Sequence, residues 1–115
     1  MIYISGKISN LPGDVVRANF KKVIYRLMEI GIPLNQIVSP LDFGIPADTP
    51  TYEALKICYD HFKKCDSVFF MENWRDSIGC IKELDWALNA NKARYFEEYN
   101  GFEKLTETLV LAEIP

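Results

Sequence analysis

Histidine is nearly absent from this sequence: His61 is the only one in 115 residues. The three cysteines, Cys58, Cys65 and Cys80, are odd in number and follow no zinc-ligand or disulfide spacing. A Cys/His metal centre is therefore not expected, nor any other metal or cofactor, and free thiols point to a reducing, cytoplasmic compartment. The formal net charge is −3 with the signs mixed and no basic patch, so binding of a nucleic-acid polymer is not expected. Neither a charged leader nor a long apolar run is present, which leaves secretion and membrane insertion unsupported. Internal repeats, low-complexity stretches, GxGxxG and P-loop patterns are also missing.

What remains is the composition of one globular domain over residues 1–115. Seven Phe, six Tyr and two Trp supply the bulk of a core. Ile2 to Ser5 is a β-rich run ending at Gly6. Asp14 is an expected N-cap for a helix over Val15 to Gly31, which Gly31 and Pro33 stop. Gln36 to Pro40 reads as a second strand, and Leu41 to Thr49 as a loop carrying Asp42 and Asp48. Thr51 to Lys64 reads as a helix with Tyr52, Leu55, Ile57, Cys58, Tyr59 and Phe62 as its apolar set. Asp66 to Met71 is an apolar strand expected at the centre of the sheet, with Asp66 at the end away from the ligand side. Ile78 to Asn91 is a third helix with Ile81, Leu84, Ala87 and Leu88 expected to face inward. Ala93 to Phe96 is a fourth strand and Gly101 to Leu111 a closing helix.

This alternation predicts a three-layer αβα sandwich around a mainly parallel sheet of four to five strands, flavodoxin- or Rossmann-like. Ligands of such sheets bind outside the carboxyl ends of the strands. The expected pocket therefore lies between the Ser5-Gly6-Lys7 loop, which continues into Ile8 and Ser9, and the helix that starts near Ser77. Gly6 either permits a ligand to approach the backbone or is a plain strand-to-loop turn. Ser77 can cap the helix, and Gly79 leaves its first turn open to a phosphate. Glu83, four residues past Gly79, projects from nearly the same face. Its other reading is a solvent-facing glutamate paired with a lysine. Trp74 is a core anchor or a base-stacking wall. His61 is expected to pack rather than to catalyse, and the facing of Asp60 is open.

The strand Tyr3-Ile4-Ser5-Gly6 and the helix segment Gly79-Cys80-Ile81-Lys82-Glu83-Leu84-Asp85-Trp86-Ala87 resemble the nucleoside 2-deoxyribosyltransferase superfamily. That superfamily includes the 2′-deoxynucleoside 5′-phosphate N-hydrolases. Within it the chain resembles a family of short proteins known as DUF4406, through the same N-terminal strand, the start Cys65-Asp66-Ser67-Val68 and the loop Trp74 to Gly79. The resemblance covers roughly residues 1 to 97. It implies Glu83 as nucleophile, Tyr3 as the residue that orients it, and Ser77 and Gly79 as phosphate contacts. It makes Gly6, Lys7, Ile8 and Ser9 a phosphate loop, with Ser9 where the hydrolases have an arginine. The family's acid on the second helix aligns with Cys58, and Asp60 lies half a turn away. Cys80 replaces a Thr and Asp85 a Gly of the usual motif.

The implied chemistry is double displacement at the anomeric carbon of a small 2′-deoxynucleoside or nucleotide, the sugar passing from Glu83 to water or, in a transferase, to a second base, with Asp60 as the acid and a homodimer as the usual assembly. Two other expectations stand beside it: a nucleotide-binding module that kept the pocket without the acid, and an assembly subunit in which these residues only pack. The facing of Asp60 and Cys58 distinguishes the first from the second.

Overall fold

The computed structural model describes residues 1–113. Four strands, β1 (Ile2–Ser5), β2 (Ile37–Val38), β3 (Ser67–Phe70) and β4 (Ala93–Phe96), form one parallel sheet in the order β2-β1-β3-β4. Four helices alternate with them: α1 (Gly13–Glu29), α2 (Thr51–Phe62), α3 (Ile78–Asn89) and α4 (Gly101–Ala112). The chain steps from β1 to β2 in one direction, then crosses back over β1 to β3 and on to β4. Crossovers between parallel strands are almost always right-handed, so reversing direction moves the connecting helix to the opposite face. That accounts for the layers. Ile2, Ile4, Ile37 and Phe69 pack with Val16, Phe20, Val23 and Leu27 of α1 and Leu105 of α4. Tyr3, Val68 and Phe70 pack with Phe62 of α2 and Ala87 of α3. The result is the expected flavodoxin-like three-layer sandwich, with four strands.

The two-residue period of β1 decides what reaches the ligand side of the sheet. All four of its residues are buried. Ile2 and Ile4 point to the α1 side, which leaves Tyr3 and Ser5 both pointing to the α2–α3 side. A strand that is polar at alternate positions thus delivers two hydroxyls to one layer.

Several boundaries differ from the sequence expectation. The strand predicted over Gln36 to Pro40 shrinks to Ile37–Val38, because Pro40 has no N–H to pair and opens a short turn capped by Ser39, whose Oγ accepts from Leu41 N at 3.3 Å. Asp14 is not an N-cap: Pro12 holds that position and Asp14 lies in the first turn without a side-chain cap bond. Of the predicted inward stripe of α3, Ala87 is buried and Leu84 half-buried against the core, while Cys80 and Glu83 complete the buried face in place of Ile81 and Leu88. Ile81 and Leu88 are exposed, as are Tyr52, Ile57 and Tyr59 of α2. Asp66 directly precedes β3, at the end of the strand opposite its carboxyl end. His61 stacks on Phe43 at 3.8 Å between ring centroids, a packing role.

Phe20 is fully buried between α1 and the sheet, whereas Tyr25 on the same helix is exposed. Phe20→Ala is expected to lower unfolding stability by about 3–5 kcal/mol, and Tyr25→Ala by less than about 1 kcal/mol. Urea titrations of the two variants check this, and equal losses would contradict the layer assignment.

Candidate functional site

A cavity of about 610 Å³ opens at the carboxyl ends of β1 and β3, a size suited to a small organic ligand. Its walls are the loop after β1 (Gly6, Ile8, Ser9, Asn10), the segment after β2 (Pro40 to Ala47 in part, with Thr49 and Thr51), α2 (Ala54, Leu55, Cys58) and the start of α3 (Asp76 to Cys80). Tyr3 and Glu83 form part of its lining.

Glu83 is the unusual group. Only 5% of its surface is exposed, and a carboxylate so placed needs a partner. Ser5 supplies one: its hydroxyl donates to Glu83 Oε1 at 2.8 Å. Burial pushes the Glu83 carboxyl up to about 7, while the nearby Tyr3 phenol and the Ser5 hydroxyl pull it back. The carboxyl is therefore poised to exist in both protonation states near neutrality. Tyr3 lies beside Glu83 and Cys58, and its hydroxyl is fully buried without a hydrogen-bond partner of normal geometry. Burial first, and then the Glu83 charge, drive its phenol far above its ordinary value, so it stays a neutral donor. Burial likewise pushes the Cys80 thiol up to about 11 and raises the Cys58 thiol.

The mouth of the cavity is organised by α3. Ser77 caps it, accepting from Cys80 N at 3.2 Å, and Gly79 sits in the open first turn. A Cβ on Gly79 would meet only Ser77 Oγ at 3.7 Å and Leu55 Cδ2 at 3.8 Å, ordinary contacts. The glycine thus keeps space in the cavity rather than relieving a clash. Gly6 is the reverse case. A Cβ there would stand 2.2 Å from Met71 Sδ and 3.1 Å from Phe20 Cζ, so the buried Met71 side chain would have to move to admit one. The loop after β1 is tethered from the segment after β3, because Lys7 N donates to Asn73 Oδ1 at 3.1 Å.

Of the residues the sequence singles out, Tyr3, Gly6, Ile8, Ser9, Ser77, Gly79 and Glu83 line one cavity, and Ser5 lies behind Glu83. Three do not join them. Lys7 is outside the lining. Trp74 packs on Phe70 and Phe96 and donates from Nε1 to Glu98 at 2.9 Å, so it is an anchor rather than a stacking wall. Asp60 faces away: its side chain is 70% exposed and pairs with Lys63 at 3.2 Å, while Cys58 of the same helix faces Glu83's cavity. Asp42 and Asp48 are exposed and outside the lining. Asp76, which lines the cavity, and Asn73, which tethers the loop after β1, escape sequence reasoning. No local pattern marks them, since they act through the turn before α3. Among the described residues no group of His, Cys, Asp and Glu could hold a metal ion, and no helix is long and apolar enough to cross a membrane.

The folded-state position of Glu83 fixes the sign of a pH effect. A carboxyl raised to about 7 when folded, against about 4.3 when unfolded, binds more protons in the folded state between those values. Stability due to Glu83 therefore falls as pH rises from about 4 to about 7 and is flat beyond, a loss of roughly 4 kcal/mol. Glu83→Gln preserves an acceptor for Ser5 and removes the charge. Its unfolding free energy is expected to exceed the wild type's by a margin that widens from pH 5 to pH 8. Parallel stability curves for the two proteins would contradict this.

No curated protein and no solved structure matches this chain. A family does match, over residues 1–95, a span that contains β1, α2, β3 and α3 and hence every wall of the cavity. The chain belongs to the family described as a domain of unknown function, DUF4406.

Proposed function

We propose that this protein cleaves the N-glycosidic bond of a small nucleoside or nucleotide, with Glu83 as the nucleophile. The observation that carries the reading is a carboxyl buried at the cavity, held by Ser5 and displaced to near neutrality, the usual mark of a functional acid or nucleophile. Support also comes from the resemblance of the Tyr3–Gly6 strand and the Gly79–Ala87 helix to the nucleoside 2-deoxyribosyltransferases and the deoxynucleoside 5′-phosphate N-hydrolases. In the mechanism, ionised Glu83 attacks C1′ as the C1′–N bond breaks with its electron pair to the base, and water then releases the sugar, restoring the carboxylate and yielding the proton that the base takes up. Tyr3 holds its hydroxyl for Glu83 or for the sugar. The open first turn of α3 takes the 5′ end of the ligand through free N–H groups. On this reading the protein uses no metal or cofactor and works as a homodimer in the cytoplasm, where Cys58, Cys65 and Cys80 stay reduced.

A second reading is favoured by one observation: the cavity has Cys58, not Asp60, on its α2 wall. A binding module of the same fold would keep the pocket without a proton donor for the leaving base. The two differ in what happens to a bound ligand.

Incubation with a panel of ribo- and deoxynucleosides and their 5′-monophosphates is expected to release free base, detected by chromatography. Glu83→Gln should reduce that release by at least about a thousandfold, the scale on which removal of a nucleophile acts. Gly79→Ala, whose methyl the fold accepts but the cavity receives, should weaken ligand binding about tenfold, or about 1.4 kcal/mol. Binding without any release would establish the module, and release undiminished in Glu83→Gln would exclude the nucleophile.

A further inference from the structure

The cavity is provided with negative charge and with almost nothing to donate a proton. Its lining contains the carboxyls of Glu83 and Asp76 and, among the described residues, no lysine or arginine. The only cationic side chain in the adjoining loop, that of Lys7, lies outside it. The amino end of α3 contributes partial positive charge at the rim, where Ser77 Oγ already accepts from Cys80 N.

Expelling an ordinary, neutral base requires a proton on the departing nitrogen. The groups around Glu83 do not provide one. Asp60 points to solvent against Lys63. Burial raises the thiols of Cys58 and Cys80 and the phenol of Tyr3, which makes all three reluctant acids. Asp76 is exposed at the rim, in the turn before α3. Glu83 itself must be ionised to attack, so it cannot be the donor in the same step.

With N-glycosidic cleavage by Glu83 as the premise, we propose that the substrate is an N-glycoside whose base already carries a positive charge, a pyridinium nucleoside or an N-alkylated purine nucleoside. Such a leaving group departs neutral. Glu83 Oε bonds to C1′ as the C1′–N bond breaks, and the bonding pair goes to the ring nitrogen and cancels its charge. Water then takes the sugar from Glu83, giving the free pentose, the carboxylate and one proton to solvent. The cationic ring is bonded to C1′, so when C1′ stands at attacking distance, roughly 3–3.5 Å from the carboxylate, the positive charge stands beside Glu83. Opposite charges at that range in a partly buried site attract appreciably. The missing acid and the missing cations thus have one explanation.

The test compares 7-methylguanosine with guanosine, with nicotinamide riboside as a second cationic probe. Each rate is divided by that probe's spontaneous hydrolysis in the same buffer. General acid catalysis contributes about 100-fold or more, so the rate enhancement on both cationic probes is expected to exceed that on guanosine by at least about that factor. The activity should be lost in Glu83→Gln, whose folding is checked by its thermal midpoint. Cys58→Asp, which places a carboxyl on the α2 wall, should raise guanosine cleavage relative to 7-methylguanosine. An enhancement on guanosine equal to or above that on the cationic probes would overturn this proposal and leave N-glycosidic cleavage standing. No cleavage of either cationic probe by the folded protein would overturn this proposal, and no base release from the full panel of nucleosides and 5′-monophosphates would overturn N-glycosidic cleavage as well.

Discussion

The hydrogen bond from the Ser5 hydroxyl to Glu83 joins the last residue of the first strand to the middle of a helix 78 positions later, and much of the molecule is arranged so that it can form. A carboxyl inside a sandwich layer is unfavourable unless it is held. Holding it needs β1 in the middle of the sheet, so that Ser5 is buried. It also needs α3 turned so that Glu83, and not its apolar neighbours, faces the strand ends. The consequence is visible on the outside of α3, where Ile78 and Ile81 stand 77% and 51% exposed. The helix gives up apolar burial to bring a carboxylate inward, a local conflict of the kind that functional sites show.

Tyr3 extends the same argument. It sits two residues before Ser5 on the same strand face, fully buried, and its hydroxyl lies near Glu83 and Cys58 without a hydrogen bond of normal geometry. An orphaned buried hydroxyl is unfavourable by about 1–3 kcal/mol. A ligand oxygen in the cavity, or the second oxygen of Glu83 once a ligand has ordered it, would satisfy that group. Ser5 and Tyr3 thus divide the work, one fixing the carboxyl and the other kept for what arrives.

The architecture was legible from the sequence because it rests on strong periodic signals: apolar runs for β1 and β3, helical spacing for α1, and the Gly31 and Pro33 stop. The Ser77 cap was legible for a local reason, being one side chain on one backbone N–H. The inward face of α3 was legible only in part. Leu84 and Ala87 of the predicted stripe do face the core, but burying Cys80 and Glu83 rather than Ile81 and Leu88 depends on tertiary partners contributed by β1. Gly6 was legible as a turn but not as a packing requirement, since Met71 and Phe20, which fill its missing side chain, are distant in sequence. The facing of α2 was equally hidden. Its apolar residues occur all round, so Asp60 and Cys58 were equivalent candidates until the structure turned one to Lys63 and the other to the cavity.

Double displacement requires a sugar to be esterified to one side chain in the middle of each turnover. Acid quenching during steady-state cleavage, followed by proteolysis and mass measurement of the peptides, looks for that ester directly. A pentosyl adduct is expected on the peptide containing Glu83 and on no other, and absent from Glu83→Gln. Turnover with the adduct on a different residue, or turnover by Glu83→Gln at the wild-type rate, would contradict it.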